Sequence, residues 1–120
     1  MTSRNKRTIG TEYEEKAATY LKQQGLSILE KNFRNRFGEI DLIGKDGNYL
    51  VFIEVKYRFD EKKGLPMEAV SFRKQKTICK VSDYYRMLHQ IPEETGIRFD
   101  VVSIENNAIS WYKNAFDYIG

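Results

Sequence analysis

The stretch GEIDLIGKDGNYLVFIEVKYR, residues 38–58, decides the fold that the sequence predicts. It contains two strand-like segments, 38–43 and 49–58, which are rich in Val, Ile, Leu and aromatic residues. Between them the sequence Lys-Asp-Gly-Asn at 45–48 is typical of a tight turn. We therefore expect the two segments to pair as an antiparallel β-hairpin.

The sequence on either side of the hairpin supplies two helices and three further strands, which we assign from apolar periodicity and boundary residues. We expect a helix over 11–24 with Thr11 as N-cap and Gly25 as its stop, a strand over 27–33, a helix from Ser71 as N-cap to before Pro92, and strands over 97–104 and 108–112. The second helix should bury Ile78, Val81, Tyr85 and Leu88. This order predicts an α/β fold with a mixed central sheet flanked by helices.

The chain of 120 residues has no repeat or linker, which predicts one domain over 1–120 with a flexible segment at 1–9. No apolar run approaches the roughly 20 residues of a membrane span, and the polar N-terminus does not resemble a secretory signal. We therefore expect a soluble, cytoplasmic protein with no membrane partner. A single cysteine, Cys79, and a single histidine, His89, exclude an internal disulfide and a Cys/His zinc site. Any metal must then be held by oxygen ligands.

The basic residues are unevenly distributed along the chain, although the net charge is only +3. They form clusters at Arg4, Lys6 and Arg7, at Lys31, Arg34 and Arg36, at Lys56, Arg58, Lys62 and Lys63, and at Arg73, Lys74, Lys76 and Lys80. The sequence after residue 88 is richer in acidic residues. A positive field on one part of the surface would suit a nucleic-acid partner, and ordinary solvated lysines and arginines are the alternative.

Two charged residues lie in the most apolar predicted strand. Because side chains alternate along a strand, Val51, Ile53 and Val55 should face the core, and Glu54 and Lys56 should share the opposite face with Phe52. Ionised groups in such a strand are costly unless they are paired or bind a metal. Glu54 and Lys56 therefore either neutralise each other or belong to a site.

Asp41 supplies a second carboxylate on the neighbouring strand of the hairpin. Alternation predicts one face with Glu39, Asp41 and Ile43 and the other with Ile40 and Leu42. Cross-strand neighbours have Cβ atoms about 4.5 to 5.5 Å apart, so Asp41 and Glu54 could share one hard cation. Two carboxylates, a peptide carbonyl and waters suit Mg²⁺, or Mn²⁺ in its place.

Glu14 adds a third carboxylate from the first helix. It precedes Ala17, Ala18 and Leu21 at helical spacing, so it lies on the stripe that faces the sheet. A carboxylate in that position needs a basic partner or a metal-bound water, unless it reaches solvent at the rim of the stripe.

These residue types suit phosphodiester hydrolysis. A metal held by Asp41 and Glu54 would polarise a phosphate and acidify a water, and Lys56 could orient that water or stabilise the developing charge. No protein nucleophile is required, and the sequence shows no Ser-His-Asp or Cys-His arrangement. Ser71, Cys79 and His89 are explained by helix capping, helix packing and a solvated helix end.

Asp41 followed by Glu54-Val55-Lys56 on the next strand resembles the PD-(D/E)xK signature of restriction-endonuclease-like nucleases, with Ile40 in place of the proline. Several longer segments resemble the bacterial YraN family, which is regarded as endonuclease-like: Gly10 to Gly25 around Glu14, Asn32 to Ile43, Val51 to Arg58, Glu68-Ala69-Val70, and Arg98 to Val101. The resemblance implies a restriction-endonuclease-like αβββαβ core. It also assigns the acidic site to Glu14, Asp41 and Glu54, and the basic member to Lys56.

Three functions compete at this stage. The first is a Mg²⁺-dependent endonuclease acting on nucleic acid, with catalytic Glu14, Asp41, Glu54 and Lys56; structured or branched DNA is its candidate substrate and a homodimer its candidate assembly. Substrate contacts are expected from Arg34, Arg36, Arg58, Lys74 and Gln75. The second is a non-catalytic nucleic-acid-binding module on the same scaffold. The third is a structural protein in which Glu54 with Lys56, and Arg98 with Asp100, form internal ion pairs.

Overall fold

The computed structural model describes residues 6–58 and 70–120. The elements, in chain order, are α1 (Lys6–Gln23), β1 (Ser27–Asn35), β2 (Gly38–Asp46), β3 (Tyr49–Arg58), α2 (Phe72–Leu88), β4 (Ile97–Glu105) and β5 (Ala108–Phe116). The strands form one sheet in the order β1-β2-β3-β4-β5. Among the described strands, β3 and β4 alone pair in parallel, and α2 lies in the connection between them. The predicted α/β fold with a mixed sheet and an αβββαβ core is therefore confirmed.

Both faces of the sheet are covered by a helix, which explains why β3 is apolar on both sides. On one face Ala17, Ala18 and Leu21 of α1 pack against a cluster that includes Val51, Ile53 and Val55. On the other face Ile78, Val81 and Tyr85 of α2 pack against a cluster that includes Phe52 and Phe99. The sequence had predicted only the first of these faces as core, since Glu54 and Lys56 follow Phe52 on the second.

The strict alternation predicted for β2 is wrong around Asp41. Ile40 and Ile43 both belong to the cluster on the α2 side, and Leu42 belongs to the cluster on the α1 side. The irregularity falls beside Asn32 of β1, which adopts a φ of 54°, a backbone conformation that Asn tolerates better than most residues. The pairing of β2 with β3 runs only from Leu42 to Asp46, so the two strands separate at Asp41.

The helix boundaries agree with the sequence except at the start of α1, and one residue at the end of α2 is exposed where burial was expected. The left-handed Gly25 follows α1, with the Leu26 N–H donating to Leu21 O at 3.0 Å, and Ser71 caps α2 by accepting from the Lys74 N–H at 3.1 Å. However, α1 already includes Lys6, so Thr11 is not its N-cap. Leu88 is also not buried as expected, because it is the last residue of α2 and is 54% exposed.

The C-terminal hairpin is longer than predicted, since β5 continues to Phe116. Asn106 and Asn107 both have positive φ, as a two-residue turn between antiparallel strands requires. Tyr112 and Phe116 pack on the α2 side and Trp111 on the α1 side. These aromatic residues thus close the protein's own core. Within the described residues, neither helix has the length and apolar character to cross a bilayer.

Candidate active site

Glu54 is a buried carboxylate near the end of β3, on the α2 side of the sheet. It is only 5% exposed, and two ammonium groups lie near it: Lys56 Nζ at 3.5 Å and Lys74 Nζ at 3.7 Å from Oε2. Lys56 follows Glu54 on the same strand, whereas Lys74 reaches it from the first turn of α2. The Glu54–Lys56 pair foreseen from the sequence is present, and α2 adds a second cation.

Asp41 occupies the gap where β2 and β3 separate. Its Oδ2 accepts the backbone N–H of Val55 at 2.8 Å. Regular pairing of β2 with β3 ends at Leu42 and Ile53, so this side chain takes the place of a backbone acceptor for Val55. Burial, the charge of Glu54 and a hydrogen bond to Glu54 raise the pKa of Asp41 to about 9. At neutral pH, a carboxyl group with this raised pKa favours its protonated form, so Asp41 holds a proton when no cation is bound.

Glu14 joins the other two carboxyl groups from α1. Burial raises its pKa, and hydrogen bonds to Asn32 and Asp41 oppose that effect. The Glu14 side chain is only partly buried and lines an open cleft of about 410 Å³ together with Gly10, Thr11, Asn32, Arg34 and Glu39. Glu14 thus reaches solvent, as one of the two alternatives from the sequence expected, and it also contacts Asp41, an acidic group and not the basic partner of the other alternative.

The carboxyl groups of Glu14, Asp41 and Glu54 are chemically suited to a divalent cation. Neighbouring carboxylates repel each other, and a cation between them removes that repulsion. Mg²⁺ commonly takes one or two carboxylates and keeps several waters. Asp41 and Glu54 would hold such an ion, with Glu14 as a further ligand. Among residues 6–58 and 70–120, no group of three or more His, Cys, Asp or Glu side chains is so placed that it could hold a metal ion as it stands. Binding therefore requires the Asp41 proton to leave and the carboxylates to adjust.

The predicted substrate contacts lie in different environments. Lys74 is next to Glu54, as described above. Gln75 instead donates its side-chain amide to Val70 O at 3.0 Å and so fixes the start of α2. Arg34 pairs with Glu39 at 2.8 Å, while Arg36 lies over the ring of Phe37 at 5.0 Å. The side chain of Arg58 is outside the described residues, as are Lys62, Lys63 and Glu68-Ala69.

Two features of the site were missed by the sequence analysis as functional elements. Asn32 bonds Glu14 and lies beside the irregular step at Asp41; its low strand propensity within β1 was the available signal. Tyr13 and Tyr57 stack with ring centroids 4.4 Å apart and an interplanar angle of 7°. This stack holds α1 against the end of β3. Because Tyr13 precedes Glu14 and Tyr57 follows Lys56, it also fixes the spacing between these two site residues. No local pattern in the sequence indicates that contact.

The fold and the site define a mixed α/β protein whose five-stranded sheet, flanked by two helices, is compatible with a restriction-endonuclease-like core and carries carboxyl groups where two central strands separate. The chain matches the Uncharacterised protein family UPF0102 over residues 13–104 and belongs to that family. All four predicted site residues lie in the matched span.

Relatives of similar length support this assignment. A UPF0102 protein of Lachnoclostridium phytofermentans is 46% identical over 116 residues, which cover 97% of this chain and 98% of the relative. A UPF0102 protein of Thermodesulfovibrio yellowstonii is 45% identical over 108 residues, covering 90% and 95%. One of Clostridium botulinum is 45% identical over 114 residues, covering 90% and 93%. The similarity therefore spans the whole fold.

Proposed function

We propose that this protein is a Mg²⁺- or Mn²⁺-dependent endonuclease that acts on nucleic acid in the cytoplasm. In this proposal it is a member of the YraN family within the PD-(D/E)xK superfamily. Structured or branched DNA is the proposed substrate. The observation that carries the proposal is the convergence of the Asp41 and Glu54 carboxyl groups, with the Lys56 ammonium 3.5 Å from Glu54. An oxygen-only donor pair beside a cation is the arrangement that metal-assisted phosphodiester hydrolysis uses.

Each residue has a distinct role in this proposal. When bound, a divalent cation would polarise the phosphodiester and acidify a water. Asp41 and Glu54 would hold the cation, and the Asp41 carboxyl would release its proton to solvent on binding it. Lys56 and Lys74 place positive charge beside Glu54, where they stabilise charge developing on the phosphate. Glu14 reaches Asp41 from the open cleft and orients the attacking water.

The test is cleavage of branched, flapped, single-stranded and duplex oligonucleotides with Mg²⁺ or Mn²⁺. Loss of a ligand is worth several kcal/mol, so we expect Asp41→Asn and Glu54→Gln to reduce the rate by about a thousandfold. Glu14→Gln should also slow cleavage. Its matched control is Glu15→Gln, since the neighbouring Glu15 is exposed and pairs with Lys31 at 2.8 Å instead. Normal cleavage by the Glu54→Gln protein would refute the assigned roles.

A non-catalytic nucleic-acid-binding module is the second candidate. It is favoured by the lack of a closed metal cage among the described residues and by exposed cations such as Arg36 and Lys80. Such a protein would bind oligonucleotides equally well in EDTA, with affinity falling steeply as salt increases, and would cut none of them. Sedimentation of the complex would show whether a homodimer is the binding form.

A further inference from the structure

A second cleft, of about 840 Å³, lies between the β1–β2 turn and the exposed side of α2. Its walls include Arg36 and Phe37 from the turn and Lys80, Asp83, Tyr84 and Met87 from the helix, with Arg34 at its edge. We refer to this cleft as the turn groove. The proposed hydrolysis uses none of the residues in its walls.

Phe37 presents an aromatic ring to solvent outside both core clusters, and it is 43% exposed. The Asn35 side chain accepts the Phe37 N–H at 2.8 Å, which holds the turn in place. The Arg36 guanidinium lies 5.0 Å from the ring centroid and Lys80 Nζ lies 6.0 Å from it. The ring is thus flanked by two cations.

The helix side of the turn groove provides a second aromatic surface. Lys80, Tyr84 and Met87 lie at helical spacing on one face of α2. Tyr84 is 38% exposed, and its ring centroid is 6.2 Å from that of the buried Phe33. Tyr84 therefore rests on the core with part of its surface still accessible.

The turn groove is preformed because β1–β2 and α2 are in close contact beneath it. A Cβ on Gly38 would lie 2.6 Å from Thr77 Cγ2, so only glycine permits this approach. The turn groove also shares a lining residue with the cleft beside Glu14. Arg34 lines the turn groove, the cleft beside Glu14, and an intermediate cleft that contains Asn35, Gly38 and Glu39.

We propose that the turn groove binds an unpaired nucleotide, with its base on Phe37 and Tyr84 and its phosphates at Arg36 and Lys80. The walls carry three cations, including Arg34, against the one carboxylate of Asp83. Asp83 already accepts from Tyr118 Oη at 2.8 Å and pairs with Arg86 at 3.4 Å, which reduces its repulsion of phosphate. Accessible rings beside cations are how proteins hold single strands. This inference deepens the proposed nuclease function, because it selects substrates with an unpaired segment.

The experiment measures fluorescence anisotropy of labelled dT12, U12 and a 12-base-pair duplex with the full chain in EDTA, where no cleavage occurs. The variant is Phe37→Leu, which keeps apolar bulk and removes the stacking surface. Its matched control is Phe72→Leu, because Phe72 is a 64% exposed phenylalanine with Lys76 Nζ 5.8 Å from its ring, and it is not part of the turn groove. One stacked base is worth about 1–3 kcal/mol, so Phe37→Leu should weaken single-strand binding roughly 5- to 100-fold.

The expected pattern is a loss confined to single strands, with duplex affinity within about twofold of the unmodified protein and with Phe72→Leu unaffected. Comparing dT12 with U12 distinguishes DNA from RNA as the source of the base. No single-strand binding, or no effect of Phe37→Leu, would overturn the inference; an apolar protein segment would be the groove's remaining occupant. The nuclease proposal fails separately, by an absence of cleavage in Mg²⁺ or Mn²⁺ while binding still depends on Phe37.

Discussion

Two aspartates lie on either side of β3, Asp41 in β2 and Asp100 in β4, and their surroundings are opposite in charge; we call the two regions the Asp41 end and the Asp100 end of the sheet. Asp100 of β4 is fully buried and accepts four hydrogen bonds: two from Arg98 at 2.9 Å, one from Trp111 Nε1 at 2.8 Å and one from the Asn114 N–H at 2.9 Å. Asp41 of β2 accepts one backbone N–H and otherwise faces two carboxyl groups. An acid surrounded by hydrogen-bond donors stabilises a fold. An acid placed beside other acids costs stability, which is typical of a functional site.

The Asp100 end is a closed ionic network. Arg98 also contacts Asp46 at 2.8 Å, and its guanidinium lies 5.6 Å from the ring of Tyr49 and 5.9 Å from that of Trp111. The Arg98 guanidinium holds the pKa of Asp46 below its usual value, and hydrogen bonding to Asp100 raises the pKa of Arg98. The structural alternative was therefore right that Arg98 and Asp100 form an internal ion pair.

The largest effect on stability is expected from Asp100→Asn. The asparagine leaves Arg98, whose side chain is 13% exposed, with Asp46 as its remaining carboxylate, and breaking a largely buried pair costs about 3–5 kcal/mol. Urea unfolding followed by the fluorescence of the sole tryptophan, Trp111, measures the change. Asp46→Asn is the control, because Asp46 is 28% exposed and its loss should cost within about 1 kcal/mol. A cost below about 1 kcal/mol for Asp100→Asn would mean that the network does not stabilise the fold.

The next effect is stabilisation of the Asp41 end by a divalent cation. Mn²⁺ at a hundredfold excess over its Kd should raise the free energy of unfolding by about 2.7 kcal/mol. The ion competes with the Asp41 proton, so the rise in Tm should be larger at pH 8.5 than at pH 6. Thermal unfolding at both pH values provides the measurement. Glu54→Gln should abolish the rise, and Asp100→Asn should retain it; equal responses from both variants would count against a metal site at Glu54.

The pH dependence of stability should reveal the Asp41 proton directly. Between pH 4 and pH 9 the unfolded chain ionises Asp41 while the folded protein keeps it protonated, because its pKa is raised to about 9. This group therefore makes the metal-free protein less stable as pH rises through that window, by up to about 1.4 kcal/mol per pH unit. Asp41→Asn should remove this contribution and make the protein more stable at pH 8, a change opposite in sign to that of Asp100→Asn. Urea unfolding in EDTA across this pH range tests it, and an unchanged slope in Asp41→Asn would assign the proton elsewhere.

The same contrast explains how much of the molecule could be predicted from the sequence. Strict alternation in β3 correctly placed Glu54 and Lys56 on one face, and helical spacing correctly turned Glu14 toward the sheet. Alternation failed at Asp41, because its position depends on the left-handed Asn32 in another strand. The turn groove depends on contact between Gly38 and Thr77, which are far apart in the chain. Local patterns thus predicted the elements and their faces, and the contacts between elements had to come from the structure.

The smallest expected change in stability is that of Lys74→Ala, and it distinguishes the ion pairs of Glu54 from those of Asp100. Lys74 lies 3.7 Å from Glu54 but is 40% exposed, and Lys56 remains at 3.5 Å when Lys74 is removed. Solvent screening and this second cation should limit the cost of Lys74→Ala to about 0.2–1 kcal/mol in urea unfolding. Lys76→Ala, on the exposed side of the same helix turn, is the control. A loss of 3 kcal/mol or more would make Glu54 the anchor of an ion pair as structural as that of Asp100. A small loss in stability accompanied by weaker cleavage would instead show that the cations around Glu54 act on the substrate. The phosphate of the substrate, and not Glu54, would then be the main partner of Lys74.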